Sequence, residues 1–170
     1  MKIVFTGPEC SGKTTLANMI ADKYQFGLVK ETARVYLEDK SNRYDYHSLS
    51  EIANLQLREE KVINRTNTHL VCDTDLLTLI IWSQEKFDKT DPWIYDKWLK
   101  HLPGNYFLCA PDIPWEYDPQ RENPSDRGRL FEVYQIMMDK HGINYTVVSG
   151  SKDDRMALVS GVLNTSIEDM

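Results

Sequence analysis

Disulfide chemistry has almost nothing to work with in this sequence. The three cysteines, Cys10, Cys72 and Cys109, are widely spaced, odd in number and form no CxxC pair. A secreted disulfide framework or a zinc knuckle is therefore not expected, and a reducing cytoplasm is the expected setting. Positive charge is also in short supply: 20 Lys and Arg stand against 26 Asp and Glu, a net charge of −6. That balance argues against a protein that coats nucleic acid or an anionic membrane, and leaves room only for a local basic site. No apolar run approaches the roughly 18 residues that span a bilayer. The opening MKIVFTGPECSGK breaks its short apolar run with Gly and Pro before a signal-peptide core can form. With 7 Pro, 8 Gly and no internal repeat, collagenous and low-complexity classes fall away too.

What remains is an ordinary globular composition, 41% hydrophobic over 170 residues, which fits a single domain spanning 1–170. Periodicity divides the chain into short apolar runs separated by helical stripes. Strands are expected at Lys2–Thr6, Gly27–Glu31, His69–Asp73, Tyr106–Cys109 and Tyr145–Val148. Helices are expected at Lys13–Tyr24, over ETARVYLEDK, from SLSEIANLQ onward with Ser48 or Ser50 as cap, at Leu76–Lys86 and around Trp93–His101. Strands alternating with helices predict an α/β fold, a five-stranded parallel sheet with helices on both faces, because parallel neighbours need long crossovers. The stretch from about 111 to 129 breaks the pattern with Pro111, Pro114, Pro119 and Pro124 among acids and arginines. It reads as a long lid insertion.

The chemistry concentrates at the first strand–helix junction. Gly7-Pro8-Glu9-Cys10-Ser11-Gly12-Lys13-Thr14 matches G-x-x-x-x-G-K-[ST] and follows a predicted strand while opening a predicted helix. Glycines let the backbone curl so that successive N–H groups face phosphate oxygens, and the helix N-terminus adds its partial positive charge. Lys13 then reaches the β- and γ-phosphates of ATP, and the Thr14 hydroxyl sits on Mg²⁺; Thr15 completes the binding run. Cys10 occupies a freely variable position of the loop. His69–Asp73 delivers Asp73 to the ligand edge of the sheet, the natural place for a magnesium-side acid. Asp75 either shares that work or caps the following helix. Glu31, ending the second strand with Arg34 one turn on, either takes the proton of an attacking hydroxyl or complements the helix dipole.

Within the insertion, Arg121, Arg127 and Arg129 suit phosphoryl transfer because guanidinium groups stay charged and fork onto phosphate, and a lid delivers them while excluding water. Surface pairs with Glu122, Asp126 and Glu132 are the alternative. Trp115 and Tyr117 either stack on a flat ring or anchor the insertion to the core. His47, His69, His101 and His141 match no zinc or triad pattern, and Trp93, Trp98, Lys97 and Lys100 read as an amphipathic helix face.

Four stretches taken together, GPECSGKTTLA, KETARVYLE, VCDTDLLTLIIWSQ and CAPDIPWEYDPQRENPSDRGRLFEVY, resemble the ribosylnicotinamide kinase domain of the NadR type, from Ile3 to about Gly150. The resemblance implies a P-loop kinase that moves the γ-phosphate of ATP to the 5′-hydroxyl of nicotinamide riboside, yielding nicotinamide mononucleotide. It assigns the phosphate loop to Gly7–Thr14, the metal-side acid to Asp73, the acid after the second strand to Glu31 and the lid arginines to Arg121 and Arg127, with Trp115 a wall of the ring pocket. Bifunctional members of that family carry an adenylyltransferase domain; the sequence has no HxGH-like signature, and a stand-alone kinase is the expectation.

Overall fold

The computed structural model describes residues 1–118, 120 and 125–168. In chain order it contains β1 (Lys2–Thr6), α1 (Lys13–Tyr24), β2 (Gly27–Val29), α2 (Thr32–Asp39), α3 (Tyr46–Ile63) and β3 (Leu70–Asp73). There follow α4 (Leu76–Phe87), α5 (Pro92–Lys100), β4 (Asn105–Cys109), α6 (Arg127–Lys140), β5 (Thr146–Val148) and α7 (Lys152–Glu168). The five strands form one sheet in the order β2-β3-β1-β4-β5, every described pair parallel. The predicted α/β sheet is the observed one.

Strand alternation produces two cores. Val4, Cys72, Tyr106 and Leu108 face α3, α4, α5 and α6, where they meet Leu49, Ile80, Trp98 and Met138. Ile3, Phe5, Val71 and Phe107 face the other way, onto Leu16 and Ile20 of α1 and Val159 and Leu163 of α7. Because both faces are covered, the central strands read as continuous apolar runs rather than alternating ones. Phe5 and Phe107 stack across the β1–β4 pair with centroids 5.3 Å apart.

Trp98 belongs to the first core. It is 1% exposed and its indole N–H donates 2.8 Å to the Tyr106 hydroxyl. The amphipathic reading of α5 therefore holds, and its lysines stay outside, Lys100 paired with Asp96.

Several boundaries differ from expectation. β2 ends at Val29, so Glu31 is the N-cap residue of α2 rather than the end of a strand. The cap of α3 is Asp45, with Ser48 at N3: the Asp45 carboxylate accepts from Ser48 N at 2.9 Å and Ser48 Oγ accepts from Asp45 N at 3.1 Å. Ser48 completes that reciprocal box rather than starting the helix, while Ser50 donates to Asp91 at 2.8 Å. The insertion is shorter than 111–129, since α6 begins at Arg127. Leu130, Tyr134 and Met138 recur every four residues and bury one stripe of α6, a signal masked by the arginines and glycine around its start. α7 is likewise unmarked by a clean apolar period, since its buried stripe of Arg155, Val159 and Leu163 contains a charge.

The sheet order reverses around β1, with β3 and β2 on one side and β4 and β5 on the other. The crevice at such a switch point is where open α/β sheets bind ligands. The loop after β1, Asp73 at the end of β3 and the insertion after β4 all lie at that edge. Among the described residues, no helix is long and apolar enough to cross a membrane.

Candidate active site

The phosphate loop begins with a glycine that no other residue can replace without movement. Gly7 has φ of +128°, and a Cβ there would lie 2.7 Å from the carbonyl oxygen of Cys109 on β4. The loop closes at Gly12, left-handed with φ of 84°, which is the N-cap of α1 and lets the helix start pointing at the loop. Ser11 Oγ donates to Pro8 O at 2.8 Å, and Lys13 Nζ donates to the same carbonyl at 2.6 Å. The ammonium thus lies across the loop, over the concavity that the backbone encloses. Gly7 through Thr15 all line one cavity of about 340 Å³, so every residue of the expected nucleotide-binding run is brought to one place.

The acids arrive from neighbouring strands. Asp73 is buried at the end of β3; burial, more than anything else, pushes its carboxyl up, while the Thr14 hydroxyl, Lys13 and Arg34 pull it down. Its Oδ1 is a buried acceptor with no hydrogen-bond partner. A hard divalent cation fits that atom: it takes oxygen ligands, keeps several waters, and needs few protein groups beside nucleotide phosphates. Thr14 and Asp73 are the residues that would hold it. No cluster of three or more His, Cys, Asp or Glu competes for a metal among the described residues.

Glu31 makes no capping bond with its side chain. Instead it lines both the main cavity and a second one of about 260 Å³, whose wall also includes Thr14, Arg34 and Asp73. Burial first, and the nearby Asp73 carboxylate second, push the Glu31 carboxyl above its usual value, opposed by Lys13 and Arg34. A carboxyl shifted that way and facing a cavity is suited to exchanging a proton.

Asp75 does not join them. It is 3% exposed, caps α4 by accepting from Leu77 N at 3.1 Å, and accepts a second bond from the Tyr106 hydroxyl. Of the two roles open to it in the sequence, the structure gives it the cap, and it lines neither cavity. Thr74, with φ of 71°, makes the turn that sends consecutive acids opposite ways.

Arg34 reaches the insertion: its Nη1 lies 2.9 Å from Asp118, with Glu31 at 3.9 Å. Arg127 donates to Cys10 O and Ile113 O, both at 3.0 Å, and its guanidinium sits 5.6 Å from the centroid of the Trp115 ring. Trp115 therefore backs an arginine, and it is not among the described residues that line this cavity. The Cys10 thiol also faces the insertion, accepting from Glu116 N at 3.2 Å. Arg129 pairs with Glu85 and Asp126 on the surface, the simpler of its two readings. Arg121 lies outside the described residues.

The aromatic part of the cavity lining has no clear mark in the sequence. Tyr44 and Trp82 form an edge-on pair, centroids 4.7 Å apart, with Trp82 Nε1 donating 3.1 Å to the Tyr44 hydroxyl. Ile81, Leu130 and Tyr134 continue this apolar wall. The Tyr134 hydroxyl donates to Thr78 at 3.2 Å, and Thr78 meets Thr6 at 3.4 Å. No spacing rule joins a loop tyrosine to a helix tryptophan 38 positions on; only the run IIWSQ, a tryptophan ending an apolar stripe, offered a cue.

Phosphate loop, opposed acids and switch-point crevice together define a P-loop nucleotide-binding domain. The chain belongs to the AAA domain family, whose sequence model matches residues 2–155. No curated protein matches the sequence significantly. Among solved structures, a NadR protein in complex with NR is similar with a TM-score of 0.76 and 15% identity, over 95% of this chain and 50% of that one. A NadR protein in complex with NAD and AMP-PNP gives 0.71 and 14%, over 92% of this chain and 47% of that one, so the chain spans about half the length of the NadR proteins. Deoxyadenosine kinase from M. mycoides gives 0.71 and 15%, covering 97% of this chain and 100% of that one. At these identities the likeness is one of fold.

Proposed function

We propose that the protein is an ATP-dependent kinase of the nucleoside and nucleotide kinase type, with nicotinamide riboside as its acceptor and nicotinamide mononucleotide as its product. The observation that carries the reading is the lining of one cavity, which brings together the phosphate loop, the Glu31 carboxylate and the aromatic side chains of Tyr44, Trp82 and Tyr134. The similarity in fold to a NadR protein in complex with NR, to deoxyadenosine kinase and to a thymidylate kinase from Ehrlichia chaffeensis supports the class. The four NadR-like sequence stretches support the acceptor.

ATP lies with its phosphates on the loop, held by backbone N–H groups and by Lys13, which leaves the Pro8 carbonyl for the phosphate oxygens. Thr14 and Asp73 would hold a magnesium ion, which would supply charge neutralisation on the phosphates. The acceptor ribose presents its 5′-hydroxyl toward Glu31, which takes the proton as the oxygen attacks. The raised carboxyl affinity for protons brings Glu31 closer to neutrality than an exposed glutamate. The base lies in the aromatic chamber, against Tyr44 and Trp82, whose flat faces suit a planar, cationic ring. Arg34 on Asp118 holds the insertion over the cavity, which favours transfer to a bound hydroxyl over hydrolysis. Arg127, at the start of α6 and bonded to the Cys10 and Ile113 carbonyls, is one cation beside the transferring phosphate, and Arg121 is the other expected one.

The test is a phosphoryl-transfer screen with Mg-ATP against nicotinamide riboside, the common ribo- and deoxyribonucleosides and their monophosphates, with mass-spectrometric product detection. Selective formation of nicotinamide mononucleotide is expected. Phosphorylation of another nucleoside with nicotinamide riboside untouched overturns the acceptor and keeps the class. Mg-ATP binding with no acceptor phosphorylated overturns the kinase.

A further inference from the structure

Behind the phosphate loop lies a buried cation that none of this chemistry uses. Arg155, in the first turn of α7, is 3% exposed and lines neither cavity. Its donors converge on three separate loops: Nε reaches Gly150 O at 2.9 Å, Nη1 reaches Ser11 O at 2.8 Å, and Nη2 reaches Ala110 O at 3.2 Å and the Asp112 carboxylate. Asp112 in turn accepts from Gly150 N at 2.6 Å, closing a ring. Three of the four acceptors are backbone carbonyls, one from each loop that ends at the ligand edge on this side of the sheet.

The Ser11 contact has a geometric consequence. A peptide unit is planar and trans, so its C=O and the N–H of the next residue point in opposite directions. With the Ser11 carbonyl pinned back onto Arg155, the Gly12 N–H must point away from it, toward the cavity that Gly12 lines. Gly12 is also the left-handed residue whose peptide is most easily turned over. A planar fork of five donors is the side chain that can hold such divergent acceptors at once, which an ammonium cannot.

We propose that Arg155 is the positioning residue of the phosphate loop: it fixes the Ser11–Gly12 peptide in the phosphate-accepting orientation and ties it to the turn after β5, so that nucleoside triphosphate affinity depends on a side chain that does not touch the nucleotide. The inference rests on the assignment of Gly7–Thr14 as the ATP site.

Mg-ATP affinity of the full chain, measured by calorimetry for the wild type, Arg155→Met and Arg155→Lys, tests it without any acceptor. A bond from a charged donor corresponds to roughly a tenfold to hundredfold effect. Arg155→Met is expected to weaken Mg-ATP binding by that factor while circular dichroism shows a folded chain, and Arg155→Lys to recover part of the loss. In turnover, KM for ATP is expected to rise while KM for the acceptor stays put. A folded Arg155→Met with Kd within about twofold of wild type overturns the proposal. So does an equal rise in both KM values, or failure of both variants to fold, since either makes Arg155 a general structural staple. A wild type that binds Mg-ATP and phosphorylates no acceptor sinks the kinase reading and leaves this one standing; a wild type that does not bind Mg-ATP overturns both.

Discussion

Asp75→Asn separates the two roles the sequence left open for that acid, and the outcome is set by its surroundings. Burial raises the Asp75 carboxyl from 3.8 to about 6, with Lys2 and the Tyr106 hydroxyl acting in the opposite direction. At about 1.4 kcal/mol per pKa unit, the ionised side chain costs the folded protein about 3 kcal/mol. Because the folded value lies above the unfolded one, the native state binds the proton more tightly. The cost is nearly absent below the unfolded value, grows as pH rises through the window between 3.8 and about 6, and is complete above it. Asparagine keeps an acceptor for Leu77 N and is itself a good cap. Its amide can donate to the Tyr106 oxygen, which already accepts from Trp98 Nε1 and has a second lone pair. The variant therefore keeps the bonds and loses the titration. Urea denaturation of both proteins should show the stability difference moving in favour of Asp75→Asn by about 2 kcal/mol between about pH 4 and pH 8. Comparing the two proteins cancels titrating groups elsewhere in the chain. A difference that does not change with pH refutes the argument. A fall in turnover beyond a few-fold refutes the capping role, since Asp75 lines neither cavity.

Lys13→Ala should lower turnover by orders of magnitude, measured as product formed per folded molecule, because it removes the ammonium that lies across the loop. Glu31→Gln should remove most of the rate with Mg-ATP binding intact. In the wild type, activity should rise with pH along a limb displaced above the ordinary carboxylate range, and the variant should lack that limb. Trp82→Ala should raise KM for the acceptor by roughly tenfold with KM for ATP unchanged, as loss of ring contacts and of the Tyr44 partner implies. Gly7→Ala should destabilise the chain by about 3 kcal/mol or more in urea denaturation, since both its φ and the Cys109 carbonyl oppose a side chain.

The strands, the phosphate loop and the acids after β2 and β3 were legible because each is a local pattern. An apolar run, a glycine-bounded loop and a helical stripe are written in consecutive residues, and the physics that turns them into structure acts over the same few residues. α6 and α7 were hidden because their buried stripes carry Arg155 or begin among arginines, so that hydrophobic period alone did not mark them. Tertiary structure decided the rest. It chose between cap and ligand for Asp75 by placing Tyr106 of β4 against it. It turned Trp115 onto Arg127 and built the aromatic wall from Tyr44 and Trp82 instead. It also buried Arg155 against a loop 144 positions away. Local pattern determined which elements form and where the phosphate-loop motif lies. Long-range packing, which brings together residues with no fixed spacing, determined which side chains line the cavity beside the phosphate loop and which are buried behind it.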